Sequence, residues 1–169
     1  MTSTQIYQPN SSDTHKNQNI GSVLKNIQVL NLSGSILFAD DAMELLGLEQ
    51  MTELKTLDIS KNPIRNWEQR KFSSALQDLK MVHKQNGYIS LTTAMIEDFK
   101  LLSNLDLTEN TFICNDQVPL FFELAENGEN LTVAGWGHGY GYSCVEDPGG
   151  AGKPTTFFDY RYSSILCKI

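Results

Sequence analysis

Four times between residues 23 and 112, the chain places leucine or an apolar equivalent at relative positions 1, 4 and 6, and it favours asparagine at position 9. The copies are Ile27, Leu30, Leu32 with Ser35; Leu54, Leu57, Ile59 with Asn62; Leu76, Leu79, Met81 with Lys84; and Leu102, Leu105, Leu107 with Asn110. They begin 27, 22 and 26 residues apart. A unit of this size cannot bury its own apolar face, so copies stack on one another and share a core. The expected class is α/β: a solenoid with a short parallel sheet on its concave face.

Each position has a physical role. Residues 4 and 6 alternate along a strand, so both face the core and the residue between them faces out. An asparagine at position 9 sits where the chain leaves the strand, and its amide can satisfy backbone groups that the turn leaves unpaired. Apolar spacing widens between the strands. Met43, Leu46, Met51 and Leu54 predict a helix over 42–54 with Asp41 as its N-cap. Ile64, Trp67 and Phe72 continue the convex side. The third copy is the weakest, because Lys84 and Gly87 interrupt its register.

This pattern resembles the leucine-rich repeat, most clearly in LKTLDISKNPI and LSNLDLTENTF. After Asn110 a different unit follows, with NTFICND, PLFFELAEN, YSCVEDPGGAG and SSILC. It resembles the cysteine-flanked cap that closes extracellular leucine-rich repeat arrays, particularly in Toll-like receptors. Repeats and cap together cover roughly residues 23–167. The resulting division is a flexible polar tail over 1–22, about four repeats over 23–110, and a disulfide cap over 111–169.

The family cap has four cysteines, joined first to third and second to fourth. This chain has three, Cys114, Cys144 and Cys167, and Asp116 stands at the family's second position. The resemblance therefore implies a Cys114–Cys144 bond and leaves Cys167 as a free or intermolecular thiol. A competing pairing joins Cys144 to Cys167, and a third reading keeps all three reduced in a cytosolic repeat protein. Asn10, Asn31 and Asn130 each begin an Asn-x-Ser/Thr triplet and are candidate glycosylation sites.

Charge is unevenly distributed. The chain carries −7 overall, and residues 109–159 alone contain eight acids against one base, Lys153. Such a patch repels phosphate backbones, so no nucleic-acid contact is expected. With 40 % hydrophobic and 20 % charged residues the chain suits neither a disordered tail nor a membrane bundle. No apolar run approaches the roughly 20 residues that span a bilayer. The polar N-terminus shows no signal-peptide h-region.

Two other motifs lead nowhere catalytic. DPGGAGKP lacks the first glycine and the hydroxyl of a phosphate-binding loop, since Asp147 and Pro154 occupy those places. GWGHGYGY reads as a flexible glycine-rich excursion in which one or two aromatics anchor on the cap, the alternative being an aromatic binding loop, which four glycines would make costly to order. His15, His83 and His138 are scattered, so neither a Cys–His pair nor a metal site is indicated. The expectation is a non-enzyme without cofactor.

The remaining surface is the concave sheet. Its outward candidates are Asn31 and Ser33; Asp58, Ser60 and Lys61; Lys80, Val82 and His83; and Asp106, Thr108 and Glu109. The resemblance implies an extracellular or cell-surface recognition module in innate immune signalling. Such a module binds a protein or microbial ligand or supports receptor homo- or heterodimerisation. Membrane contact would come only through a segment outside this chain, which reads as a fragment without signalling parts. The alternatives are a secreted leucine-rich repeat binder and a cytosolic scaffold.

Overall fold

The computed structural model describes residues 20–35, 46–62, 72–82, 88–136, 142–146 and 155–156. Residues 1–19 of the tail, Asn10 among them, lie outside the described residues, as do His83, His138, Cys167, Asp41, Met43, Ile64, Trp67, Lys84 and Gly87. The last three residues of the expected flexible tail are instead part of a short helix, Ile20–Val23.

Among the described residues, nine short strands form two sheets. The first contains β1 (Val29–Asn31), β2 (Thr56–Asp58), β3 (Asp78–Lys80), β5 (Asn104–Asp106) and β7 (Thr132–Val133), all parallel and in that order. The second contains β4 (Tyr88–Ile89), β6 (Thr111–Ile113) and β8 (Ser143–Val145) in parallel, with β9 (Thr155–Thr156) antiparallel to β8. The helices are α1 (Ile20–Val23), α2 (Thr93–Phe99) and α3 (Gln117–Asn127).

The register of the first sheet follows the sequence repeat without a slip. Leu30, Leu57, Leu79, Leu105 and Val133 stand side by side and form one apolar row. The position-6 residues Ile59, Met81 and Leu107 are buried beside them, as are the position-1 residues Leu54, Leu76 and Leu102. Pairing continues past the strand ends, where the N–H groups of Leu32, Ile59 and Met81 donate to the carbonyls of Asp58, Lys80 and Asp106. The first copy packs less deeply. Its Ile27, Leu30 and Leu32 are only partly buried, because β1 is paired on one side alone among the described residues.

The sheet also extends beyond the last repeat. Thr132–Val133 adds a fifth strand on β5, so the segment after Asn110 contributes to the same sheet as the repeats. Of the 42–54 stretch, 42–45 lie outside the described residues; Leu46 is helical, and Gly47 with φ 58° then leads into a 3-10 turn at Leu48–Gln50 with Leu48 buried, so the helix does not continue to 54.

Local chemistry sets both longer helices. The Thr92 side chain accepts from Met95 N–H and caps α2. Asn115 accepts from Gln117 N–H at 3.1 Å at the start of α3, while its Nδ2 donates to the Leu91 carbonyl at 2.9 Å. Pro119 sits in the first turn of α3, where its missing N–H costs nothing. Val118, Phe121 and Phe122 lie three and four residues apart and form the buried face of α3.

Candidate functional site

Two kinds of repeated bond, one made by position 9 and one by position 5, shape the turns that follow the strands of the first sheet. The Asn62 amide donates to the carbonyls of Ile59 and Ser60 in its own turn and to Leu32 in the copy before, at 3.0, 3.2 and 2.7 Å. Asn110 repeats the arrangement on Leu107, Thr108 and Met81, at 2.8, 3.4 and 2.6 Å. Both asparagines are buried. At position 5, Asn31, Asp58 and Asp106 each accept from the backbone N–H two residues on, closing the same small turn three times.

Position 8 adopts left-handed backbone in three copies: Gly34, Lys61 and Glu109 have φ of 69°, 60° and 64°. The first copy meets that demand with glycine; the second and fourth place a side chain there at a conformational cost.

Two polar rows result. The first begins at the apolar Val29 and continues through the polar Thr56, Asp78, Asn104 and Thr132 across the strands. Its centre is a hydrogen-bonded chain in which Thr56 and Asn104 both donate to the Asp78 carboxylate, at 2.9 and 2.6 Å. The second runs Asn31, Asp58, Lys80 and Asp106, with the Lys80 ammonium 3.7 Å from Asp106. Lys80 thus stands between two carboxylates in the register, and the pair is solvent-screened.

The sequence candidates divide accordingly. Lys61, Lys80 and Glu109 are exposed, and Asp58, Val82, Asp106 and Thr108 are half-buried. Ser60 is a correction: it is buried, and its hydroxyl accepts from Val82 N–H at 3.0 Å, so it serves the turn instead of the outer face. Thr108 donates its hydroxyl to Asp106 and is likewise engaged in its turn. The row through Thr56, Asp78 and Asn104 was absent from the sequence reading. Its signal would have been the polar residue just before Leu57, Leu79 and Leu105, where the first copy has Val29; it acquires meaning only through the register.

At the other end, Cys114 and Cys144 form a disulfide with Cα atoms 5.1 Å apart. It crosses from the end of β6 to β8, reinforced by Cys114 N–H donating to the Val145 carbonyl at 2.9 Å. Trp136 packs on Phe122 and Phe121, with ring centroids 5.0 and 5.7 Å apart, and Tyr142 joins the same cluster. Two aromatics of the glycine-rich stretch are therefore anchored. The buried Tyr142 hydroxyl donates to the Ala134 carbonyl at 2.7 Å. Burial pushes its phenol pKa upward and the Asp106 charge adds to this, against a backbone hydrogen bond from Leu107.

No family model, curated protein or solved structure matches this chain. Among the described residues, no helix is long and apolar enough to cross a membrane. No three His, Cys, Asp or Glu side chains among them stand together as a metal site. A cleft of about 280 Å³ opens between α2 and α3 over Ile96, Leu120 and Leu124, with Glu97, Lys100 and Glu123 on its rim. Its ionic contact is the surface pair Glu97–Lys100.

Proposed function

We propose that the chain is a leucine-rich repeat solenoid with a cysteine-flanked cap, similar to the C-terminal end of a Toll-like receptor ectodomain, and that it recognises a partner without catalysis. The partner is a protein or microbial ligand, or a receptor chain with which it dimerises, and the compartment is extracellular. The observation that carries this reading is the equivalence of Asn62 and Asn110. Two residues 48 positions apart in the chain make the same set of bonds to their own turn and to the preceding copy. The Cys114–Cys144 bond follows directly after the second of them and suits an oxidising compartment.

The proposed contact surface is the two-row polar face. Its side chains are held by turns and cross-strand bonds before any partner arrives, so little ordering entropy is lost on binding. Asp58, Asp78 and Asp106 outnumber Lys80 on it, which favours a partner surface of opposite sign.

Two measurements test the reading. In the first, the protein from its native source is alkylated with and without reductant; Cys114 and Cys144 should resist modification until reduced. Free alkylation of both would place the chain in a reducing compartment and defeat the extracellular assignment. In the second, the chain is screened against displayed extracellular proteins and microbial surface polymers. Binding should be lost in Asp78→Lys and Asn104→Arg, which put positive charge on the acidic face, and retained in Glu126→Arg on α3. Equal effects of all three changes would remove the polar face as the contact surface.

A further inference from the structure

Among the described residues, two asparagines begin an Asn-x-Ser/Thr triplet, Asn31-Leu32-Ser33 and Asn130-Leu131-Thr132. The topology puts them at opposite edges of the five-stranded sheet. Asn31 is the last residue of β1, the outermost strand on one side among the described residues. Thr132 is the first residue of β7, the outermost described strand on the other, with Asn130 two residues before it. The three interior strands carry no such triplet; Asn104 in β5 is followed by Leu105 and Asp106.

The side-chain amides divide in the same way. Asn62, Asn104, Asn110 and Asn115 each commit Nδ2 to a hydrogen bond within the fold, and none begins a triplet. Asn31 is exposed and uses its Oδ1, which accepts from Ser33 N–H at 2.8 Å. Its Nδ2 donates no bond among the described residues. Asn130 is exposed in the loop that enters β7. An N-linked glycan attaches through Nδ2 and leaves Oδ1 an acceptor, so the Asn31 turn survives the modification.

An open strand edge is a template for pairing with another chain, and proteins that persist as monomers block it. On β1 the hazard is concrete, since Val29 is 67 % exposed and the strand has β2 as its one partner among the described residues.

We propose that Asn31 and Asn130 carry N-linked glycans that shield the two edges of the sheet from pairing with a second copy of this chain and leave the central strands open. This rests on the extracellular reading above. The donor is a lipid-linked oligosaccharide pyrophosphate of the secretory pathway. The bond formed joins Nδ2 to the anomeric carbon of the first sugar; Nδ2 loses one proton and the lipid pyrophosphate leaves. What stays uncovered is the stretch through Thr56, Asp78, Asn104 and Lys80, so the glycans also delimit the face available to a partner.

The test uses the full chain behind a secretion leader in cultured eukaryotic cells, in a Ser12→Ala background that removes the triplet at Asn10. Enzymatic release of the glycans in heavy-oxygen water should convert Asn31 and Asn130 to labelled aspartate. Ser33→Ala and Thr132→Ala should abolish label at their own sites. The glycosylated protein should sediment as a monomer. The enzymatically trimmed protein and the double variant should at least double in weight-average mass as concentration rises, and Val29→Lys in the double variant should restore the monomer. An unlabelled Asn31 or Asn130 in the parent protein, or identical sedimentation with and without glycans, overturns the proposal. The leader delivers the chain to the donor wherever it natively resides, so that result is independent of the thiol measurement, which judges the extracellular reading.

Discussion

The Nδ2 of Asn110 lies 2.6 Å from the carbonyl oxygen of Met81, a residue in the turn of the preceding repeat copy. The same amide reaches Leu107 in its own turn, so one buried side chain joins two consecutive copies. Replacing it by Ala would leave both buried carbonyls without that donor. The expected cost is about 1–3 kcal/mol, the penalty of an unsatisfied buried polar group. Urea denaturation checks it; a change under about 0.5 kcal/mol, the range of ordinary surface substitutions, would mean that water or a shifted neighbour fills the gap.

The disulfide closes a span of 30 residues that contains α3 and β7. Cross-linking a loop of that length stabilises by roughly 3–4 kcal/mol in the chain-entropy model. Cys114→Ser and Cys144→Ser should each lower stability by this order, and the double variant should lose no more than either single one. Amide exchange should show the loss concentrated from Asn115 to Val145. Uniform loss across β1 to β5 as well would indicate that the two sheets unfold as one unit.

Tyr142 gives the fold a dependence on alkaline pH. Burial raises the folded pKa above the ordinary value of 10.0. The unfolded chain therefore releases this proton first as pH climbs. The contribution of Tyr142 is fully present below about pH 10 and is lost progressively above it. Denaturation midpoints between pH 9 and pH 11.5 should fall more steeply for the native sequence than for Tyr142→Phe, which has no phenol to ionise. At neutral pH the same variant should be the less stable one, because the Ala134 carbonyl loses its donor. Parallel curves for the two proteins would show that the phenol titrates alike in both states.

Glu109 holds a left-handed backbone with φ 64° at the place where the first copy has Gly34 at 69°. A side chain there costs roughly 1–2 kcal/mol, and glycine gives back part of that gain through unfolded-state entropy. Glu109→Gly should raise stability by a net amount on the order of 0.5–1 kcal/mol, measured by thermal unfolding. Glu109→Val, with its branched Cβ, should lower it. A stability loss in the glycine variant would assign the Glu109 side chain a contact that outweighs its strain.

Residues whose role depends on near neighbours were legible in the sequence. Leu57, Ile59, Leu105 and Leu107 are no more than 1 % exposed, because the 4-and-6 alternation is a local consequence of strand geometry. Asn62 and Asn110 bond the turn just left behind, again within three residues, so their spacing pointed to their work. Phe121 and Phe122 mark the buried face of α3 by helical spacing.

What the sequence by itself determined is therefore the repeat register: which residue of each copy faces the core and where the chain turns. Tertiary structure alone decided what those copies place side by side. Asp78 meets Thr56 and Asn104 across 22 and 26 residues of chain, and no local pattern marks the three as partners. The strands of the second sheet share no repeated apolar spacing in the sequence, and the sheet exists because Phe112 and Cys144 pair across strands far apart in the chain. Thr132–Val133 becomes a fifth strand only because β5 offers an unpaired edge beside it. In each case the deciding interaction is a long-range hydrogen bond or a buried contact, whose partner is set by how the copies stack and not by the residues on either side.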